Sequence, residues 1–152
     1  MIKKPYSIEL EGKRIMETMN ETALLIVDLQ NDFCPGGALA VTGGDQIVPV
    51  VNDLISVAVG RGMPIFASRD WHPEATSHFN THGGPWPPHC RQTTKGAEFH
   101  PKLRLPADRF TIISKGTKPD EDAYSAYNVK SKFFCVQRRC FYAVVRGKSA
   151  NP

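Results

Sequence analysis

No apolar run in the chain approaches the ~20 residues that a membrane-spanning helix needs. The N-terminal stretch MIKKPYSIELEGKRIMETMN carries two lysines with no apolar core behind them, so it does not read as a secretory signal. Without an export signal, the four cysteines (Cys34, Cys90, Cys135 and Cys140) are expected to stay reduced in a cytoplasm. None forms a C-x-x-C pair, which excludes a zinc knuckle and a thioredoxin-like motif. No internal repeat or low-complexity segment is visible. Acid is missing from one region only. Residues 1–127 hold 13 Lys and Arg against 15 Asp and Glu, whereas residues 128–152 hold six basic residues and no acid. The formal net charge of +4 therefore belongs wholly to the last 25 residues. Such a tail can bind nucleic acid or an anionic membrane. With no regularly spaced stacking aromatics beside the charges, we read it as a solvated or foreign tail and expect neither partner.

What remains is ordinary for a soluble globular protein: 41% hydrophobic and 22% charged residues. The length of 152 residues suggests one domain. Residues 1–20 are polar, lack clear periodicity and look like an extension, with Met16 or Met19 as alternative starts. ALLIVDLQNDF reads as a buried strand ending at Asp28, since Ala23–Val27 is wholly apolar. A glycine-rich loop follows. Asp45 is a plausible N-cap, Pro49 suits a first turn, and Ile47, Val50, Val51, Leu54, Ile55 and Ala58 recur at helical core spacing. Gly60 and Gly62 end the helix. PIFAS is a second strand and FTIIS, at 110–114, a third. Strand, helix, strand implies a βαβ unit and a parallel sheet.

Ligands of such sheets bind at the carboxyl ends of the strands. Asp28, Asp70 and Lys115 all sit at or just past a predicted strand end. One aspartate there is usually a turn residue or a helix cap; three ionisable groups placed alike point to a site. Asp70 and His72 stand two apart, and His89 lies in the proline-stiffened GGPWPPHC. Two imidazoles and a carboxylate suit Zn, Fe or Mn, with positions left for water or substrate. His78 is a further candidate ligand; His82 and His100 read as surface residues. The alternative is that His72 and His89 are loop histidines bonded to backbone.

Four stretches now identify a family: LLIVDLQNDFCPGGALAVTGGD, SRDWHPEATSHF, GGPWPPHCRQTTKGAEFHP and SKGTKPDEDAYSAY. Together, from about Thr22 to Tyr127, they resemble the nicotinamidase (pyrazinamidase) branch of the isochorismatase-like hydrolases. The resemblance implies a doubly wound parallel α/β sheet and hydrolysis of nicotinamide, or a similar small amide, to the acid and ammonia in NAD salvage. It implies a small-molecule substrate and a divalent metal, and leaves room for a homo-oligomer. Carried over by position, Asp28 and Lys115 correspond to catalytic residues. Asp70, His72 and His89 correspond to metal ligands, with His78 a ligand in some members. Phe33 and Trp86 match aromatics that flank the pyridine ring. The chemistry suits these types. A thiolate is a suitable attacker for a poor electrophile, a neighbouring ammonium lowers its pKa, and a carboxylate takes and returns the proton.

The resemblance stops near Tyr127. The family's nucleophilic cysteine is expected near residue 148 or later, and Cys135 and Cys140 come too early and in the wrong context. We therefore expect residues 21–127 to be the N-terminal part of a nicotinamidase-like domain. Residues 128–152 are expected to be an unrelated tail from truncation or frameshift, leaving the fold incomplete at its C-terminus and the nucleophile unidentified. CFYAVV at 140–145 could add an improvised strand. The alternative readings are a remnant that binds metal or a pyridine ring without turnover, and a relative acting on another small amide.

Overall fold

A computed structural model describes residues 22–121 and 124–126 in full, and the backbone of 9–10, 13–14 and 139–144. Two short strands, β1 (Glu9–Leu10) and β2 (Lys13–Arg14), pair antiparallel within the polar N-terminal segment. The main sheet holds β3 (Thr22–Val27), β4 (Ile65–Asp70), β5 (Phe110–Lys115) and β6 (Arg139–Val144) in the order β5-β4-β3-β6. All three pairings are parallel. This is the parallel α/β sheet expected from the apolar runs. The improvised strand expected at 140–145 forms one residue earlier and pairs with β3, with Val27 opposite Val144.

A single α-helix stands among the described residues, α1 (Val48–Gly60), which links β3 to β4. Its inner stripe of Val48, Val51, Ile55 and Ala58 packs on Leu24, Ile26, Ile65 and Ala67. Each Val, Leu or Ile side chain among them contributes about 1.5–3 kcal/mol when fully buried. Two helix expectations change. Asp45 lies in a short 3-10 turn (Gly44–Ile47) and caps nothing, because α1 starts at Val48, two residues later than a cap at Asp45 would place it. Pro49 sits in the first turn as expected. Val50 and Leu54 face outward, because α1 is apolar nearly all round and its spacing alone does not say which stripe meets the sheet. The C-terminus closes as the glycines foretold. Gly62 (φ +66) follows Arg61, its N–H donates to the Val59 carbonyl, and the Met63 N–H reaches back to Ala58.

Between β4 and β5 the chain runs through residues 71–109 with no α-helix and only two short 3-10 turns, Asn80–His82 and Lys95–Ala97. A connection so long without regular structure is usually functional. Backbone hydrogen bonds tie it down. The His72 N–H donates to Cys90 O, the Gln92 N–H donates to His72 O, and the Asn80 N–H donates to Trp86 O. The loop is thereby folded back over the carboxyl ends of the strands.

Candidate metal site

The three ionisable groups predicted at strand ends do converge. β4 and β5 run in register, with Asp70 opposite Lys115. β3 ends at Val27, and Asp28 turns away in the left-handed region (φ 52). Lys115 Nζ lies 2.9 Å from Asp28 Oδ2 and also donates to Asp70 Oδ1. The lysine is buried at 5% exposure, so it relies on these two carboxylates to offset desolvation. Ser68, one strand-period before Asp70, donates its hydroxyl to Asp28 Oδ1 at 2.8 Å.

Two carboxylates sharing one ammonium are driven apart in acidity. Burial, with the negative charge of Asp70, pushes the Asp28 carboxyl above its ordinary value against the pull of Lys115 and Ser68. Burial would raise Asp70 too, but the imidazoles of His72 and His89 and the ammonium of Lys115 overcome it. Its carboxyl is held well below the usual carboxylate range. Lys115 is raised: burial disfavours its charge, and Asp28 and Asp70 restore it. Asp28 is thus the group fitted to carry a proton, and Asp70 the one fitted to stay anionic.

The metal candidates stand next to this cluster. Asp70 Oδ2 lies 3.9 Å from His72 Nε2 and 3.7 Å from His89 Nε2. Ligand atoms sharing one ion at bonds of ~2.0–2.1 Å stand roughly 3.4 Å apart in a tetrahedron, so this spacing is close to that of a shared ion. His72, His78 and His89 are all buried, and one ligand atom from each lies within 4.8 Å of the others. His78, expected only as a possible ligand, thus belongs to the group as fully as the other two. His82 is exposed and His100 half-buried, outside it.

Two observations test whether these residues fit an ion. The His72 ring is 1% exposed, yet neither of its nitrogens has a hydrogen-bond partner, the only such buried side-chain atoms among the described residues. An orphaned buried polar atom costs about 1–3 kcal/mol, which an ion at Nε2 would offset. His89 pairs Nδ1 with the Pro87 carbonyl at 2.7 Å, the outer-shell bond that leaves Nε2 free to ligate. The residues fit a divalent cation.

The aromatic expectations also reach this place. The Phe33 ring centroid is 5.7 Å from that of His89, and Trp86 stacks at 6.3 Å from His78. Four participants were missed in the sequence. Tyr124 accepts from Trp86 Nε1 at 3.0 Å and approaches His78 at 5.8 Å, although it is largely exposed. Gly116 (φ +63) touches the His72 ring so closely that a Cβ would stand 2.4 Å from Cε1. Asp32 takes the Cys90 N–H on Oδ2 at 2.7 Å and the Ala38 N–H on Oδ1 at 3.1 Å, joining two loops. Gln30 is buried beneath Asp70. Only Gly116 had a local signal, a glycine directly after a strand-end lysine.

Neither fully described cysteine is set to attack. Burial, with Asp70, Asp32 and Asp28, pushes the Cys90 thiol far up despite Lys115. Burial and Asp45 raise that of Cys34. Cys140 pairs with Ala23 near the start of β6, away from the rim; Cys135 lies outside the described residues.

The isochorismatase domain family matches residues 22–130. The chain belongs to the isochorismatase domain family. Its relatives in that family include the nicotinamidase of Escherichia coli, 43% identical over 124 residues, covering 72% of this chain and 58% of that protein. The pyrazinamidase of Pyrococcus horikoshii, solved in complex with zinc, superposes with a TM-score of 0.68 at 52% identity. It covers 72% of this chain and 59% of that one. PnC1 from L. infantum, in complex with nicotinate, gives 0.64 at 42% identity over 71% and 54% of the two chains. This isochorismatase-family chain thus spans under three fifths of the length of these relatives.

Proposed function

We propose that the chain carries the substrate and metal site of an amide hydrolase of the nicotinamidase kind, acting on a flat ring amide such as nicotinamide. The observation that carries this reading is the row of half-buried Asp28 with buried Lys115 and Asp70, next to three buried imidazoles. In it, Asp70, His72, His78 and His89 hold a divalent ion (Zn, Fe or Mn). That ion, when bound, supplies a positive charge that draws and orients a pyridine nitrogen. Phe33 and Trp86 flank the ring and exclude water. Lys115 would favour the anionic form of an attacking group, and Asp28 would take its proton and return it to the amide nitrogen as it leaves as ammonia; water would then cleave the acyl adduct, releasing the acid and restoring the attacking group.

A second reading has its own support. Both fully described thiols are pushed up by burial, so a site that binds metal and ring without turnover is the alternative. One assay separates the two. Purified zinc-loaded chain is mixed with nicotinamide, and ammonia release is followed alongside nicotinate binding. Sustained release that Asp28→Asn abolishes supports the hydrolase. Zinc-dependent nicotinate binding without release supports the second reading. Loss of both sinks the assignment.

A further inference from the structure

Asp70 has a backbone problem that its side chain does not reveal. In a parallel ladder, alternate residues point their N–H and C=O to the same neighbouring strand. Ser68 O accepts from the Asp28 N–H at 3.1 Å, so Asp70, two residues on, turns its backbone groups to the β3 side as well. The β3–β4 pairing stops at Val27 and Ser68, because the chain leaves the sheet at Asp28. A strand end with both groups buried and unpaired would be costly.

Gln30 fills that gap. It is fully buried. Its Oε1 accepts the Asp70 N–H at 2.7 Å, and its Nε2 donates to the Asp70 carbonyl at 2.8 Å. The side-chain amide presents a donor and an acceptor spaced like those of a peptide unit, so it stands in for the β3 residue that is not there. The second Nε2 hydrogen reaches Ala97 O at 2.9 Å, which draws in the loop that follows His89. The Asp70 N–H and carbonyl, the Gln30 Oε1 and both Gln30 Nε2 hydrogens are thereby used.

We propose that Gln30 is a positioning residue for the metal centre. By clamping the Asp70 backbone at both polar atoms, it fixes where the carboxylate stands relative to His72, His89 and Lys115. The proposal rests on the metal reading above and concerns how one ligand is held. It predicts that Gln30 tunes cation affinity without touching the ion.

The experiment is a zinc titration of the full chain against a chromophoric chelator, comparing wild type, Gln30→Met and Val51→Ala. Methionine keeps the length and bulk of Gln30 and removes the amide. Val51→Ala opens the core under α1 and serves as a general destabilisation control. Gln30→Met is expected to weaken zinc binding about tenfold or more, as outer-shell substitutions do. Val51→Ala is expected to stay within about threefold of wild type at a temperature where both are folded. Gln30→Met within threefold of wild type, or an equal loss in Val51→Ala, overturns the proposal. No zinc binding by wild type overturns the metal reading itself. Should Gln30→Met fail to fold, the wild-type side-chain amide signal of Gln30 in NMR decides. Zinc that moves the imidazole signals is expected to shift it and slow its hydrogen exchange, and a signal indifferent to zinc rejects the proposal.

Discussion

The carboxyl rim of the sheet and the outer face of α1 manage burial in opposite ways. At the rim, charged and polar groups are taken largely out of water and, the His72 ring apart, answered by partners: Lys115 by two aspartates, Asp28 by Ser68, the Asp70 backbone by Gln30. On α1, Val50, Leu54 and Val57 lie three and four residues apart and stay between 41% and 59% exposed. Polar desolvation is accepted where chemistry needs it, and apolar exposure is left where none of the described residues provides a cover. The rim is therefore brittle to single changes, whereas the outer helix face is tolerant.

The sharpest way to break this contrast is Lys115→Met. It leaves buried Asp70 and half-buried Asp28 without their cation, and urea denaturation should show a loss of about 3–5 kcal/mol. A loss under about 1 kcal/mol would mean that the rim is not held by mutual compensation.

The pH dependence sharpens the same point. The Asp70 carboxyl titrates lower in the folded than in the unfolded chain. Its contribution is present above the unfolded value of 3.8 and is lost as pH falls below it. Lys115 titrates higher when folded, so its contribution is complete below 10.5 and is lost as pH rises through the folded value. Asp28, raised like Lys115, contributes fully below 3.8 and loses that contribution as pH climbs through its folded value, opposing Asp70 in that range. Thermal melts should therefore show a plateau between these limits, and Lys115→Met should flatten the alkaline limb.

The helix supplies the smallest effect. Val51→Ala, at 0% exposure, should cost about 2 kcal/mol. Val50→Ala, next to it in sequence at 59% exposure, should stay within about 0.5 kcal/mol. Equal costs would show that the outer face is covered in solution.

Much of this was legible beforehand, for identifiable reasons. The strands at 22–27, 65–70 and 110–115 announce themselves as apolar runs with an ionisable residue at or just past their ends, and that placement brought Asp28, Asp70 and Lys115 together on paper. The histidines were readable because D-x-H and a proline-stiff loop restrict where side chains point. The outward face of α1 was misread because a helix apolar on most sides has no preferred stripe until a sheet is set against it. Gln30 and Asp32 escaped because their partners are backbone groups far along the chain at Asp70, Ala97 and Cys90, and spacing along the sequence says nothing about such bonds. Tyr124 escaped because its role depends on where the Trp86 indole N–H ends up.

The account stands most directly on where a cation goes. Crystals of the chain grown with zinc, measured at the zinc absorption edge, should give one dominant anomalous peak. That peak should lie among His72, His78, His89 and Asp70, and it should vanish in His72→Ala. A peak elsewhere, or one that survives that substitution, would contradict it.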